Sequence, residues 1–152
     1  MKKTNQGKSF LQAINDAIAE EMELDNQVVI IGEDIGTYGG AFGVTRGLLE
    51  KFGSNRVIDT PISENSIVGL ATGAAITGLK PIVEIQFSGF LAPAFDQIFS
   101  HSARIRSRSR GRYTCPIVVR APSGGGIRAL ELHSECPEAF YAHAPGVKVV
   151  CP

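Results

Sequence analysis

No sign of charge dominates this sequence. Fifteen lysines and arginines meet fifteen aspartates and glutamates, so no global field draws the chain to nucleic acid or to an anionic membrane. Any charge-driven binding has to be local. Cysteine is scarce: Cys115, Cys136 and Cys151 are the only three. Their odd number, the lack of CxxC spacing and the lack of a signal-peptide pattern exclude a disulfide framework and point to a reduced, cytoplasmic setting. Long apolar runs are missing too. Val28 to Ile31 is too short to cross a bilayer, and Ile67 to Leu79 is too rich in glycine and threonine, so no membrane is expected. His101, His133 and His143 show neither HExxH nor close ligand spacing, and no metal site is expected. Neither glycine-rich loop has GxGxxG spacing, and no GK[ST] follows the second, which excludes the standard nucleotide fingerprints. Internal repeats, heptads and low-complexity linkers are absent.

What remains alternates between two periods. Phe10, Leu11, Ile14, Ala17, Ile18 and Met22 recur at helical spacing behind Ser9, a candidate N-cap. Gln27 to Ile31, closed by Gly32, reads as a strand buried on both faces that delivers Glu33 and Asp34 into a loop. Gly36 to Gly43 carries four glycines in eight residues and reads as a loop needing unusual backbone freedom. A helix from about Thr45 to Phe52 and a strand from Arg56 to Asp59 follow. Pro61 stops that strand, and Ser63 is placed to cap a helix running to about Thr77, with Glu64 in its first turn. Small residues in this helix, among them Gly69, Ala71, Gly73, Ala74 and Ala75, allow close packing although the glycines cost helix stability. Strands are expected at Pro81 to Phe87, Pro116 to Ala121 and Val147 to Cys151, and a helix from Leu91 to about Ser107. The pattern predicts one α/β domain over 1–152, with a mostly parallel sheet flanked by helices.

Four features carry possible chemistry. Glu64 lies at a helix start beyond a strand, where open α/β sheets hold ligand groups; a first-turn acid is also favoured simply by the helix dipole. Ser123-Gly-Gly-Gly-Ile-Arg128 is either an anion cradle or a flexible turn. His133, between Glu131 and Glu135, is suited to acid/base work or to a structural hydrogen bond. His101 and His143 carry only the second reading. Arg104 to Arg112 places five arginines at alternate positions, readable as a phosphate or RNA strip or as the solvated cationic end of a helix. The balanced net charge favours the latter, and nucleic acid is not an expected partner.

Six segments in order resemble one family: Gly32-Glu-Asp-Ile-Gly36, Asp59-Thr-Pro-Ile-Ser-Glu64, Gly78 to Phe87, Pro93-Ala-Phe-Asp-Gln97, Arg120 to Arg128 and His133-Ser134. The family is the beta subunit of the 2-oxo acid dehydrogenase decarboxylating component, of the pyruvate and branched-chain type. The resemblance runs from about Ser9 to Pro152. It implies a transketolase-like pyrimidine-binding domain. The family's C-terminal transketolase domain would be missing, so the sequence reads as a fragment of a longer subunit.

The resemblance also implies a cofactor, thiamine diphosphate, shared with an alpha subunit in an alpha-two beta-two heterotetramer. The alpha subunit would bind its Mg²⁺ and diphosphate, and a lipoyl-bearing acyltransferase component would accept the acyl group. By motif position Glu64 would meet the pyrimidine ring nitrogen N1′, and Ile62, Gln86 and Phe90 would line the pyrimidine pocket, Phe90 by ring stacking. His133 would be the second catalytic residue, donating a proton during acyl transfer. An acetoin dehydrogenase beta subunit shares every one of these motifs. Ser107, where the family usually has tyrosine, and Arg110, where glycine is common, leave the geometry of the loop that follows them open. Asn65-Ser66 replaces a more usual small pair.

Overall fold

The computed structural model describes residues 7–152; residues 1–6 of the expected domain lie outside the described residues. The first helix, α1 (Phe10–Leu24), opens with the expected cap. The Gln12 amide N–H donates to Ser9 Oγ and the Ser9 N–H to Gln12 Oε1, each at 3.2 Å, which satisfies two donors that a helix start leaves unpaired. Ile18 and Met22 are its buried residues. The Arg56 guanidinium then donates to the carbonyls of Met22, Asp25 and Val28 at 2.7 to 2.9 Å. It ties the end of α1 to the start of the sheet.

Strands β1 (Val28–Gly32), β2 (Val57–Asp59), β3 (Lys80–Glu84) and β4 (Val118–Arg120) form one parallel sheet in the order β2-β1-β3-β4. Every residue of β1 is buried, as expected for a central strand covered on both faces. Its side chains alternate between two cores. Val29 and Ile31 face a cluster with Ile67, Val68 and Ala71 of α3 (Glu64–Ile76), whereas Val28 and Ile30 pack with Ile18 and Met22 of α1 and with Leu48 of α2 (Leu48–Phe52). Each large aliphatic side chain so buried contributes about 1.5–3 kcal/mol. Helix α3 follows β2 and leads into β3, so its first turn stands at the end of the sheet where the parallel strands finish.

Several boundaries differ from the sequence reading. Helix α2 starts at Leu48, not Thr45, because the Thr45 hydroxyl donates to Ile35 O at 2.7 Å and holds the segment to the glycine loop. Ser63 occupies the N-cap position of α3, but its hydroxyl donates to Ser66 Oγ and caps no backbone N–H. The regular pairing of β3 stops at Glu84, three residues before the expected end, where the chain turns into a 3₁₀ turn at Ser88–Leu91. The long helix expected from Leu91 to Ser107 is replaced by that turn, a π-helix at Gln97–Ser102 and the short α4 (Ile105–Arg108). Pro93 has no N–H to donate. Farther on, the Ala103 N–H reaches Ile98 O at 2.9 Å, while Ser102 Oγ takes up the Gln97 carbonyl at 3.0 Å. That side-chain bond accommodates the wider turn.

Val147 to Cys151 forms no strand. The Val147 N–H closes a turn on Ala144 O, and Val150 is 78% exposed. The outer edge of β4 is therefore unpaired among the described residues. A helix the sequence reading lacked, α5 (Glu138–Ala142), anchors the C-terminal region through Tyr141, whose hydroxyl donates to Leu91 O at 2.8 Å. Five residues leave too short a periodicity to read.

Candidate active site

In a sheet of order β2-β1-β3-β4 the connections after β1 and after β3 run to opposite sides, so a crevice opens beyond the ends of β1 and β3, where such folds bind ligands. The loops after the two strands meet there. From β1 come Glu33 and Asp34; from β3 come Gln86 and Phe87. The Gln86 amide donates to Asp34 Oδ2 at 3.2 Å across the crevice. Asp34 adopts φ 57°, a left-handed conformation that Asp tolerates better than most residues. The next turn is fixed by Asp59 at the end of β2, whose Oδ1 accepts the Gly36 N–H at 2.7 Å. A Cβ on Gly36 would stand 2.2 Å from the other oxygen of that carboxylate, so only glycine allows the approach.

Glu64 is the first residue of α3 and half-buried. Its carboxylate is close enough to Glu33 to contribute to raising the Glu33 carboxyl above its ordinary value, after partial burial and the charge of Asp34. Three acids thus converge where β1, β2 and α3 meet. None of the ion pairs among the described residues involves Glu64. Beneath the glycine loop, Glu84 is 2% exposed and ion-paired with Arg120. Burial pushes its carboxyl above the ordinary range and Arg120 draws it partly back.

The 3₁₀ turn after β3 carries an aromatic group. Phe87 and Phe90 lie with ring centroids 5.6 Å apart, and the His133 ring sits edge-on to both, at 4.5 Å from Phe87 and 5.0 Å from Phe90; Phe42 from the glycine loop adds an edge contact to Phe87 at 5.5 Å. His133 Nδ1 lies 3.1 Å from Glu131 O. A carbonyl only accepts, so Nδ1 carries the proton and Nε2 is the free ring nitrogen of the neutral imidazole.

The structure thus brings His133 onto Phe90 and places Gln86 on Asp34, and the charge of Glu64 reaches Glu33. Ile62, on the connection between β2 and α3, is 76% exposed. Sequence reasoning passed over Phe87, Phe42 and Asp59. The first two gave no signal without the fold, but the proximity of Asp59 to Gly36 follows once β1 and β2 are paired. His101 and His143 have partners of the ordinary kind, Asp96 at 3.5 Å and Ala139 O at 2.8 Å.

Two other features border the crevice or lie away from it. A cleft of about 1070 Å³ runs along β4, lined by Phe10, Leu11, Val118, Tyr141 and Val150 among others. None of Ile62, Glu64, Gln86, Phe90 and His133 lines it, whereas Phe42, Glu84 and Ser88 do. The arginine run occupies the entry to β4, at the opposite end of the sheet. Arg104 stacks over the Phe99 ring at 4.6 Å, Arg108 donates to Ser100 O, and Arg106, Arg110 and Arg112 are exposed. Arg110 adopts φ 54°, the left-handed region that glycine enters at no cost, which gives the departure at this position a physical reading. Among the described residues no group of three or more His, Cys, Asp or Glu is arranged to hold a metal ion, and no helix is long and apolar enough to cross a membrane.

Comparison with known proteins adds a family and a fold. Residues 6–152 match the family model for the transketolase pyrimidine-binding domain. The chain is 56% identical over 144 residues to the pyruvate dehydrogenase E1 component subunit beta of Acholeplasma laidlawii, covering 95% of this chain and 44% of that protein. It is 59% identical over 142 residues to the protein of the same name from Mycoplasma genitalium, covering 93% and 44%. To the 2-oxoisovalerate dehydrogenase subunit beta of Bacillus subtilis it is 51% identical over 144 residues, covering 95% and 44%. The chain therefore spans under half the length of these relatives. A solved chain described as a split gene transketolase, inactive beta4 tetramer, superimposes with a TM-score of 0.65 at 19% identity, covering 88% of this chain and 39% of that one. That likeness speaks to the fold alone.

Proposed function

The chain belongs to the transketolase pyrimidine-binding domain family, and from that membership we propose that it is the pyrimidine-holding domain of the beta subunit of a thiamine-diphosphate-dependent 2-oxo acid dehydrogenase. The observation that carries the reading is the position of Glu64, a carboxyl in no ion pair among the described residues, in the first turn of α3, at the end of the sheet where the crevice opens. Identities of 51–59% to pyruvate and 2-oxoisovalerate dehydrogenase beta subunits support a 2-oxo acid as the substrate class. Thiamine diphosphate, when bound, supplies the carbon nucleophile and the electron sink that decarboxylation of a 2-oxo acid requires.

The residues present fit an aminopyrimidine ring. Glu64 offers a carboxyl that can share a proton with a ring nitrogen, Phe90 offers a half-buried aromatic ring, and Gln86, held by Asp34, offers an amide. Ile62 would add an apolar contact once a partner covers it. His133, with its proton fixed on Nδ1 by the Glu131 carbonyl, keeps Nε2 free to take or give a proton when the acyl group leaves. The described residues offer nothing comparable for a diphosphate with its Mg²⁺, which we assign to a partner alpha subunit in an alpha-two beta-two assembly. Acyl transfer then goes to a lipoyl-bearing acyltransferase component. The three free cysteines agree with a reducing, cytoplasmic setting.

The test is reconstitution of the full-length subunit with its alpha partner and measurement of thiamine-diphosphate-dependent CO₂ release from pyruvate and from 2-oxoisovalerate. Release from either confirms the reaction class and names the substrate. A folded assembly that releases CO₂ from neither overturns the reading.

A further inference from the structure

The loop that carries His133 is held by one carbonyl group. Glu135 O, two residues beyond the histidine, receives Ser88 Oγ at 2.6 Å, Ser123 Oγ at 3.2 Å and the Gly124 N–H at 3.4 Å. Ser88 is the short bond of the three and the buried one, 2% exposed. Its own backbone N–H donates to Pro122 O at 2.9 Å, so the residue is fixed at both ends. Immediately after it, Gly89 lies against the other side of the loop: a Cβ there would stand 2.1 Å from Leu132 O. Residues on either side of His133 are thus pinned to Ser88 and Gly89, which begin the 3₁₀ turn that presents Phe90. The His133 ring lies against both Phe87 and Phe90.

We propose that Ser88 is a positioning residue for His133: its buried hydroxyl, through the Glu135 carbonyl, sets the distance between the imidazole and the Phe87–Phe90 pair. The loop from Ser123 to Glu135 contains three consecutive glycines and no regular helix or strand, so little else fixes its seat. A hydroxyl lost from a buried position leaves the carbonyl with only its two longer bonds, and the loop gains freedom at the histidine. This inference rests on the reading of His133 as an active-site group, but its geometrical part can be tested independently.

The experiment compares Ser88→Ala with wild type in the full-length subunit assembled with its alpha partner, without cofactor. Diethyl pyrocarbonate acylates exposed neutral imidazoles, and mass spectrometry resolves the rates at His133, His101 and His143. The expected result is a rise of about fivefold or more in the rate at His133 with less than a twofold change at the other two and, in separate assays with thiamine diphosphate added, a fall in kcat for acyl transfer and an unchanged KM for the oxo acid. An unchanged rate at His133 overturns the proposal whatever the activity does. A rise at His133 with unchanged kcat upholds the positioning role and counts instead against the catalytic reading of His133. Should Ser88→Ala fail to assemble, Ser88→Cys keeps a side chain in the buried place and replaces the hydroxyl with a much weaker donor to Glu135 O; a selective rise at His133 supports the proposal and an unaltered rate counts against it.

Discussion

Gln86 and Asp34 join the two loops that bound the crevice, the amide of one donating to the carboxylate of the other at 3.2 Å. The bond crosses from the loop after β1 to the loop after β3, where the direction of the strand connections reverses. It sets the Gln86 side chain without occupying all of its hydrogen-bonding capacity, since an amide carries two donors and an acceptor.

Asp34→Ala is therefore expected to act on cofactor affinity more than on folding. Loss of this exposed bond should cost about 0.5 kcal/mol of stability, and the poorer fit of alanine to φ 57° about 1 kcal/mol more. Release of Gln86 should raise the thiamine diphosphate concentration for half-maximal activity several-fold, with kcat little changed. Titration of activity against cofactor in the reconstituted assembly checks this, and an unaltered half-saturation point counts against it.

Tyr141 gives a pH signature. Burial pushes its hydroxyl from 10.0 to about 12, while the neutral form donates to Leu91 O. The folded state holds the proton more tightly than the unfolded chain. The associated stability is complete below pH 10 and is lost as pH rises from about 10 to about 12. Tyr141→Phe should remove that alkaline loss and cost about 0.5–1.5 kcal/mol at neutral pH. Urea unfolding at pH 8 and pH 11 compares the two proteins; equal losses at pH 11 contradict the assignment.

Arg110 carries backbone strain with no partner to offset it. It sits at φ 54° just before Gly111 at φ 80°, and its guanidinium makes no ion pair among the described residues. Arg110→Gly relieves the left-handed conformation at the expense of a more flexible unfolded chain. We expect a net gain of about 0.5–1 kcal/mol, read as a higher urea midpoint, with enzymatic activity unaltered because the run lies at the opposite end of the sheet from Glu64.

How far the sequence carried this picture depends on how local each signal was. The parallel sheet and the place of Glu64 were legible, because Val28 to Ile31 is a continuous β-branched run and Asp59-Thr-Pro-Ile-Ser-Glu64 marks a strand end followed by a helix start. The Ser9 cap was legible for the same reason. The region after β3 was not. A Leu91–Ser107 helix fits the apolar spacing, but the π turn depends on Ser102 reaching Gln97 O, a side-chain choice that periodicity does not encode. Val147 to Cys151 has the composition of a strand and an open edge beside it, yet its first N–H is taken by a turn. At the site, the pairing of His133 with Phe87 and Phe90 joins residues more than forty positions apart, and only the folded backbone brings them together.

The most direct test of the central claim is the turnover of Glu64→Gln in the reconstituted assembly, measured as CO₂ release from the oxo acid that the wild type uses. The substitution keeps the size of the side chain and removes its ability to exchange a proton. The account predicts an intact assembly whose turnover falls at least a hundredfold, equivalent to about 2.7 kcal/mol or more of transition-state stabilisation. Near-normal turnover by a folded, assembled Glu64→Gln protein would contradict it.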